Sequence, residues 1–471
     1  MNNKQQELEM LLAFRRQADE ILSNPERFRK DGRKIKIGFE SEVALYKNGL
    51  PLGELEKTRD EILARVPGFT DKELGAGQME FRTLPYDILS QGGFRAIESE
   101  YRGNFSQLLE SARESGCSIL RSGTNPFLPV KNTPRTNKLK YQLVPDFYNR
   151  HRRPGADTII GLGRDKVDIG DAAIVSLFQS FQVNLEANSF ADALNKANRS
   201  LGIAPYLLAL FANSRYLGAL DTEMQDIRMM SWAKSHDTSG CVPLDTEMQD
   251  VRLISWEKAF DTRTEAEIRS GDMLRVGLPE KYFESMEEYL ARAGKFPFIL
   301  NSPENALGIA IGMTWLDARI KFIEDSLVVE LRLLPTMPTI DEELLATLLY
   351  IGALSGDQKR NRPLLSMSEI RENRISAMTQ GMNAEMWFES GGRVAMKIPF
   401  WAGFPRYEFP KIKDSLEELG LLQFLDVELL KFILGNGSPS TRLGRAVAKS
   451  TENDMVSKFE EAMKDTGQIV S

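Results

Sequence analysis

Histidine and cysteine are nearly missing from this chain. Its 471 residues hold two histidines, His151 and His236, and two cysteines, Cys117 and Cys241. Two cysteines make no disulfide framework and no metal-ligand spacing, which suits a reducing compartment and gives a cytoplasmic expectation. A His-rich zinc site or a Ser-His-Asp triad is hard to assemble from two histidines. No apolar run reaches the roughly 18 residues that a membrane span needs, so no membrane partner is expected. The first 21 residues carry several acids on a helical period, unlike a secretory signal. A basic excess is also lacking: 60 Lys and Arg against 67 Asp and Glu give a formal charge of -7. That balance argues against nucleic acid as a partner, since it leaves no broad basic footprint.

What is present is an ordinary globular composition, 42% hydrophobic and 27% charged. The length suits one large domain with extensions or two ordinary ones. The most informative stretch is Ile35-Lys36-Ile37-Gly38-Phe39-Glu40-Ser41-Glu42-Val43. Apolar and polar residues alternate with period two, the mark of a half-buried strand. Ile35, Ile37, Phe39 and Val43 fall on one face, and Lys36, Gly38, Glu40 and Glu42 on the other. Two carboxylates on one strand face repel each other. A solvated sheet face tolerates them, and a divalent cation such as Mg²⁺ or Mn²⁺, which takes hard oxygen ligands, would use them.

The same alternation recurs along the chain. Gln78, Glu80 and Arg82 share a face, as do Gln182, Asn184 and Glu186. Arg319 pairs with Lys321 on a strand at 318–322, and Glu330 with Arg332 on one at 328–333. Between these strands the periodicity predicts helices at 4–22, 54–66, 90–115, from the Ser189/Asp192 cap to about 212 with a bend at Pro205, 341–354, and a short pair within 415–434. A short strand is predicted at 117–120. Residues 128–172, rich in Pro, Asn, Arg and Gly, read as a long loop, and the Gly161-Leu162-Gly163 inside it is weak evidence for a nucleotide loop. Beyond 436 the tail is polar and reads as peripheral. One segment is duplicated: Leu220 through Trp232 recurs as Leu244 through Trp256, with three apolar-for-apolar changes. A single repeat is no solenoid. One copy keeps the original place and the other lengthens a loop or helix.

An antiparallel sheet covered by helices on one side explains the apolar faces. The open side then carries Glu40, Glu42, Glu80, Gln182, Asn184 and Glu330 with the cations Arg82, Arg319, Lys321 and Arg332. Carboxylates that hold Mg²⁺ beside cations that offset phosphoryl charge make a phosphoryl-transfer surface. Salt-bridged surface strands would give the same pattern.

Several motifs, in order, resemble the glutamate–cysteine ligase-like carboxylate–amine ligases (the GCS2 group), which share a glutamine synthetase-like fold. They are Ile37-Gly38-x-Glu40-x-Glu42, Glu73-x-x-x-Gly77-Gln78-x-Glu80-x-x-Thr83, Gly123-Thr124-Asn125-Pro126-Phe127, Gln182-Val183-Asn184, Phe211-Ala212-Asn213-Ser214 with Arg228 fifteen residues after Asn213, Glu330-Leu331-Arg332 with Pro338-Thr339, and Glu372-Asn373-Arg374. The resemblance implies an α+β fold with a curved antiparallel sheet and helices on its outer face. It implies an N-terminal helix over 1–30, a catalytic domain over 31–400 and a C-terminal helical extension over 401–471. It implies ATP-dependent amide formation between a carboxylate, typically the γ-carboxylate of glutamate, and a small-molecule amino acid or amine. Glu40, Glu42, Glu73, Glu80, Asn184 and Glu330 match the family's Mg²⁺ positions. Arg319, Lys321 and Arg332 match catalytic cations near the phosphates. Arg228 matches a clamp on the substrate carboxylate, and Asn213, Gln182 and Thr124 join it as substrate-binding candidates.

Three departures bear on the substrate. Asn125 stands where the family often has His, Arg215 where Pro usually follows Ala-Asn-Ser, and the duplication lies beside the expected clamp. The implied chemistry activates the carboxylate as an acyl phosphate and needs no protein nucleophile, which agrees with the lack of a Ser or Cys elbow. Two other readings compete. A guanidino kinase-like phosphotransferase typically depends on a run of arginines rather than on five aligned carboxylates. A non-catalytic nucleotide-binding relative should have lost metal carboxylates, and none is visibly lost.

Overall fold

The computed structural model describes residues 3–30, 34–150, 158–160, 166–218, 220–235, 276–294, 300–359, 364–390, 394–452 and 454–471. His151, His236, Cys241, the glycines 161 and 163, and the second repeat copy with Arg252 lie outside the described residues.

The central strand is Lys36–Tyr46. Antiparallel neighbours flank it on both sides, Phe181–Ala187 on one and Gln78–Arg82 on the other. Ser326–Leu331 and then Ala318–Ile323 extend the first side, and Thr70–Lys72 the second. Tyr86–Asp87 and Ser118–Leu120 pair with the two ends of the central strand. Every pairing in this sheet is antiparallel, as the alternating patterns require.

Odd positions of the central strand point to the core. Ile37, Phe39 and Val43 are buried there with Met79, Phe81, Phe181, Val183 and Leu185. The Gly93–Glu114 and Phe190–Phe211 helices cover this face, and Ile340–Lys359 packs over Phe190–Phe211. Ser189 Oγ accepts from the Asp192 N–H to start the long helix, which runs unbroken through Pro205. Its residues are buried on nearly all sides, the pattern of a core helix rather than a surface one. Thr339 and Glu342 form the reciprocal cap of Ile340–Lys359. Just inside that cap, the fully buried Glu343 accepts from Arg121 Nη2 at 2.5 Å and from Tyr101 OH at 2.6 Å. Arg121 Nε also donates to the carbonyls of Met337 and Pro338, each at 3.1 Å. This one pair ties the helix, its entry loop and Gly93–Glu114 together behind the sheet.

Asn3–Ser23 forms the expected N-terminal helix, burying Met10, Phe14, Ala18 and Ile21 against Met286–Gly294 and Ala306–Gly312. Among the described residues no helix is long and apolar enough to cross a membrane.

Two expectations fail. The 128–172 region is not all loop, because Leu139–Arg150 is a helix. Its buried residues Tyr141, Val144, Pro145 and Tyr148 keep a helical period, but Pro145 sits inside the pattern and reads as a breaker. The tail beyond 436 is not peripheral. Pro439–Lys449 and Met455–Asp465 are helices, and Ile469–Val470 adds a strand to Ser118–Leu120 at the main sheet. Gln468, fully buried, donates through Nε2 to Asn213 Oδ1, and its carbonyl accepts from the Arg121 N–H at 2.7 Å. Leu443, Val447, Phe459 and Ile469 pack with Tyr46 and Leu120, and buried hydrogen bonds such as that of Gln468 join them, so the tail is held by apolar contact and by polar pairing together.

Gln468→Ala leaves the buried Asn213 oxygen unpaired. It should lower unfolding stability by about 1–3 kcal/mol, read as a drop in Tm. An unchanged Tm would show that the tail does not close on the sheet.

Candidate active site

The antiparallel register carries even positions of four strands onto the open face. Glu40 lies opposite Arg82 on one side and Gln182 on the other, and Glu42 opposite Glu80. Asn184 is opposite Glu330, which is itself opposite Arg319. A cleft of about 380 Å³ collects Glu40, Glu42, Glu73, Glu80, Gln182, Arg319 and Arg332. Six of the ten residues expected on the polar face thus line one cleft, and Arg82, Asn184, Lys321 and Glu330 adjoin it through contacts with Glu80, Glu40, Arg319 and Arg332.

The surface divides into two zones. In the first, carboxylates crowd together. Burial and then the neighbouring Glu73 push Glu42 up to about 8, against hydrogen bonds from Ser180 and the charge of Arg332. Burial holds Glu80 well above the usual carboxylate range, with Glu40, Glu73 and Glu42 adding to the rise. Burial raises Glu73 too; Lys140 pulls against the rise and Asp71 adds to it. Like charges in a confined, poorly solvated space account for all three.

In the second zone Glu330, fully buried, meets three cations. Lys321 Nζ is 2.7 Å from Oε1, Arg332 Nη1 is 2.6 Å from Oε2, and Arg319 Nε donates to Oε2 as well. Burial alone would raise this carboxyl, but Arg319, Arg332 and Lys321 outweigh it and hold it well below the usual range. Lys321 Nζ bridges to Glu40 at 3.2 Å, and Arg332 Nη1 donates to Gln182 Oε1 at 3.2 Å. Asn184 Nδ2 donates to Glu40 Oε1 at 3.1 Å.

Not every sequence candidate reaches the cleft with free donors. Asn213 spends Nδ2 on the carbonyls of Arg121 and Thr336 and Oδ1 on Gln468. Thr124 Oγ1 donates to the Tyr216 carbonyl at 2.6 Å. Arg228 borders the cleft, yet its guanidinium is 1% exposed and engaged throughout. Nε and Nη2 bind Asp226, Nη1 binds the carbonyls of Gln179 and Leu334, and Nη2 also binds that of Leu333. As placed it offers no donor for a ligand carboxylate, so the expected clamp is built as an internal brace. Glu330, matched to a metal position, has both oxygens occupied by cations.

Other cleft residues carried no sequence signal. Tyr141 OH donates to the Lys72 carbonyl at 3.1 Å beside Glu73, from the helix hidden by Pro145. Asp317 lines the cleft and is gripped bidentately by Arg374 at 2.6 and 3.1 Å. Trp232 and Trp315 form an aromatic wall with ring centroids 5.4 Å apart.

Among the described residues, no three carboxylates already stand together as a formed metal site. The donor set nevertheless suits a hard divalent cation. It is made of oxygens, its charges repel one another, and Asn184 Oδ1 is buried with no hydrogen-bond partner. Glu40, Glu42, Glu73, Glu80 and Asn184 are the residues that fit.

The glutamate-cysteine ligase family 2 model matches residues 36–397. The chain belongs to this family. Curated relatives within it are distant. The chloroplastic glutamate–cysteine ligase of Medicago truncatula is 24% identical over 170 residues, covering 36% of this chain and 29% of that protein. The Nicotiana tabacum enzyme of the same name is 24% identical over 170 residues, covering 36% and 28%. The matched stretch thus spans under a third of the relatives' length. A crystal structure of glutamate–cysteine ligase from Francisella tularensis in complex with AMP superposes with a TM-score of 0.54 at 12% identity, over 94% of this chain and 89% of that one. A bifunctional glutathione synthetase from Pasteurella multocida gives a TM-score of 0.51 at 12% identity, over 96% and 54%. At such identity these two establish the fold alone, and it is the expected α+β fold with an antiparallel sheet.

Two measurements test the electrostatics of this family member. Because Glu42 is raised in the folded state, the native protein holds a proton that the unfolded chain releases, so stability falls as pH rises from about 5 to about 8. In chelator, Glu42→Gln should flatten that fall in Tm, and parallel profiles would mean that Glu42 is ionised throughout. Arg228→Ala strands Asp226 in the core and should cost about 3–5 kcal/mol of stability. A variant that unfolds like the parent would return Arg228 to the role of clamp.

Proposed function

We propose that the chain is an ATP-dependent carboxylate–amine ligase that joins the γ-carboxylate of glutamate to an amino group through an acyl phosphate. The observation that carries this reading is the two-zone cleft, with a repelling acid cluster beside a cation cluster on one rigid sheet face. An acid cluster alone would suit metal binding without transfer. A cation cluster alone would suit anion binding.

The reaction runs in two steps. A substrate carboxylate oxygen attacks the γ-phosphorus of ATP, and ADP leaves. The amine nitrogen then attacks the acyl carbon, phosphate leaves, and the nitrogen loses a proton. Arg319, Lys321 and Arg332 outnumber Glu330, so their surplus positive charge offsets the phosphoryl oxygens during transfer. Glu330 holds the three cations in register, which removes the reorganisation they would otherwise need at the moment of reaction. Mg²⁺, or Mn²⁺ in its place, held by Glu40, Glu42, Glu73, Glu80 and Asn184, would supply charge neutralisation for the triphosphate. Gln182, which donates to Glu42 at 3.2 Å and accepts from Arg332, links the two zones and fixes their spacing.

The test is product identity with pairs of amino acids as substrates. ADP and phosphate should be released, and the phosphate should depend on both the acid and the amine. AMP and pyrophosphate would mean adenylation and would overturn the reading. Phosphorylated amine without amide would make it a phosphotransferase. Glu40→Ala truncates a half-exposed side chain on the open face and spares the core. It should lower turnover by about a hundredfold or more at limiting Mg²⁺ with little change in Tm.

A further inference from the structure

One carboxamide in the cleft makes no hydrogen bond to the rest of the protein. Gln179 is fully buried, it lines the cleft, and neither Nε2 nor Oε1 has a partner. Its neighbours behave differently. Gln78 accepts from the Gly75 N–H at 2.6 Å and donates to the Phe178 carbonyl, and Gln182 is used at both ends. Burying an amide with both groups unpaired destabilises a fold, and the loss is recovered when a ligand both donates to it and accepts from it.

We propose that Gln179 is a substrate-recognition residue that reads the α-ammonium and α-carboxylate head of the amino-acid substrate. The proposal rests on the ligase reading above and names a residue that no motif singled out.

Position supports it. The Gln179 backbone is fixed on three sides: its N–H donates to the Gly123 carbonyl at 2.9 Å, and its carbonyl accepts from Arg228 Nη1 at 3.1 Å and from the Thr336 N–H at 3.3 Å. The side chain is thus aimed by a rigid frame. Arg228 acts on the substrate through this frame, as a positioning residue. The next residue, Ser180, donates its N–H to Glu42 at 2.8 Å, so Gln179 borders the acid zone. A group bound there adjoins the reacting carboxylate. The adenine base does not, because ribose and triphosphate hold it away from the phosphoryl group being transferred.

Chemistry supports it too. Oε1 can accept from an ammonium and Nε2 can donate to a carboxylate, so one neutral side chain matches both ends of a zwitterion. Neutrality matters beside Glu42, where another carboxylate would add to the repulsion. Val175, Phe178 and Met229 line the same cleft, so it offers apolar surface as well as the carboxamide. Sites built to hydrogen-bond a substrate group reject analogues that lack it, because the site's own buried groups are then left unpaired.

The experiment compares the full-length parent with Gln179→Met, which keeps length and removes both polar atoms. L-glutamate and glutarate, which lacks the α-amino group, are the probes, read by steady-state kinetics and by ligand-induced shift in Tm. The variant should fold with an equal or higher Tm, since an unpaired amide has been removed. Its KM for glutamate should rise about ten- to hundredfold, its KM for ATP should stay within about twofold, and its preference for glutamate over glutarate should shrink. An unchanged glutamate KM and preference would overturn the proposal. A rise confined to ATP would overturn it in favour of base recognition, and a lower Tm with unchanged KM would make Gln179 structural. If the parent turns over no ATP with any amino-acid pair, the ligase reading fails separately. In that case a glutamate-induced Tm shift in the parent that is lost in Gln179→Met still sustains the role of Gln179, and no shift in the parent overturns it.

Discussion

Everything at the cleft rests on the central strand Lys36–Tyr46 being paired on both sides. Its Glu42 faces Glu80 across one ladder, and its Glu40 faces Gln182 across the other. Like charges directly opposite one another weaken a sheet. The opposite face offsets that cost. Phe39, Phe81, Phe181 and Tyr101 pack there with ring centroids 5.0 to 5.6 Å apart along the contacts from Phe39 and from Tyr101 to Phe81. Because side chains alternate strictly, the core cannot take Phe39 without turning Glu40 outward. Packing on one face therefore fixes the charge pattern on the other.

The two zones of the cleft show the same residue type in opposite states. Glu330 is the most deeply buried of the carboxylates, and three cations keep it ionised. Glu42 and Glu80 retain some exposure, yet burial and their acidic neighbours favour their protonated forms. Burial works to raise all three, and only at Glu330 do neighbouring cations outweigh it. A surface split in this way holds an electrostatic gradient across a few side chains, and a triphosphate with its cation is the kind of ligand that uses both ends of it.

Rigidity behind the sheet keeps that gradient in place. The buried Arg121–Glu343 pair, with Tyr101 and the Met337 and Pro338 carbonyls, locks the layer of helices to the loop that leads from Glu330 and Arg332 into Ile340–Lys359. The second buried pair, Arg228–Asp226, reaches the carbonyls of Gln179, Leu333 and Leu334 and so braces the same loop from the cleft side. Breaking either pair would leave an uncompensated buried charge, although neither pair carries the proposed chemistry.

The sequence by itself determined the strands, their two faces and the family. Period-two alternation is a local property, and it was enough to put Glu40, Glu42, Glu80, Gln182, Asn184 and Glu330 on polar faces. Helices with clear caps, such as the one after Ser189 and the one after Thr339, were legible for the same reason. Which polar residues were free to meet a ligand was decided by tertiary structure alone. Arg228, Asn213 and Thr124 matched motifs but are spent on backbone carbonyls and buried partners. Gln179 matched nothing and is left with an unpaired carboxamide. The closing of the tail through Gln468 was likewise invisible, whereas Leu139–Arg150 keeps a helical period that Pro145 masks. Hydrogen-bond satisfaction depends on partners tens or hundreds of residues away, and no window along the chain contains both ends of such a bond.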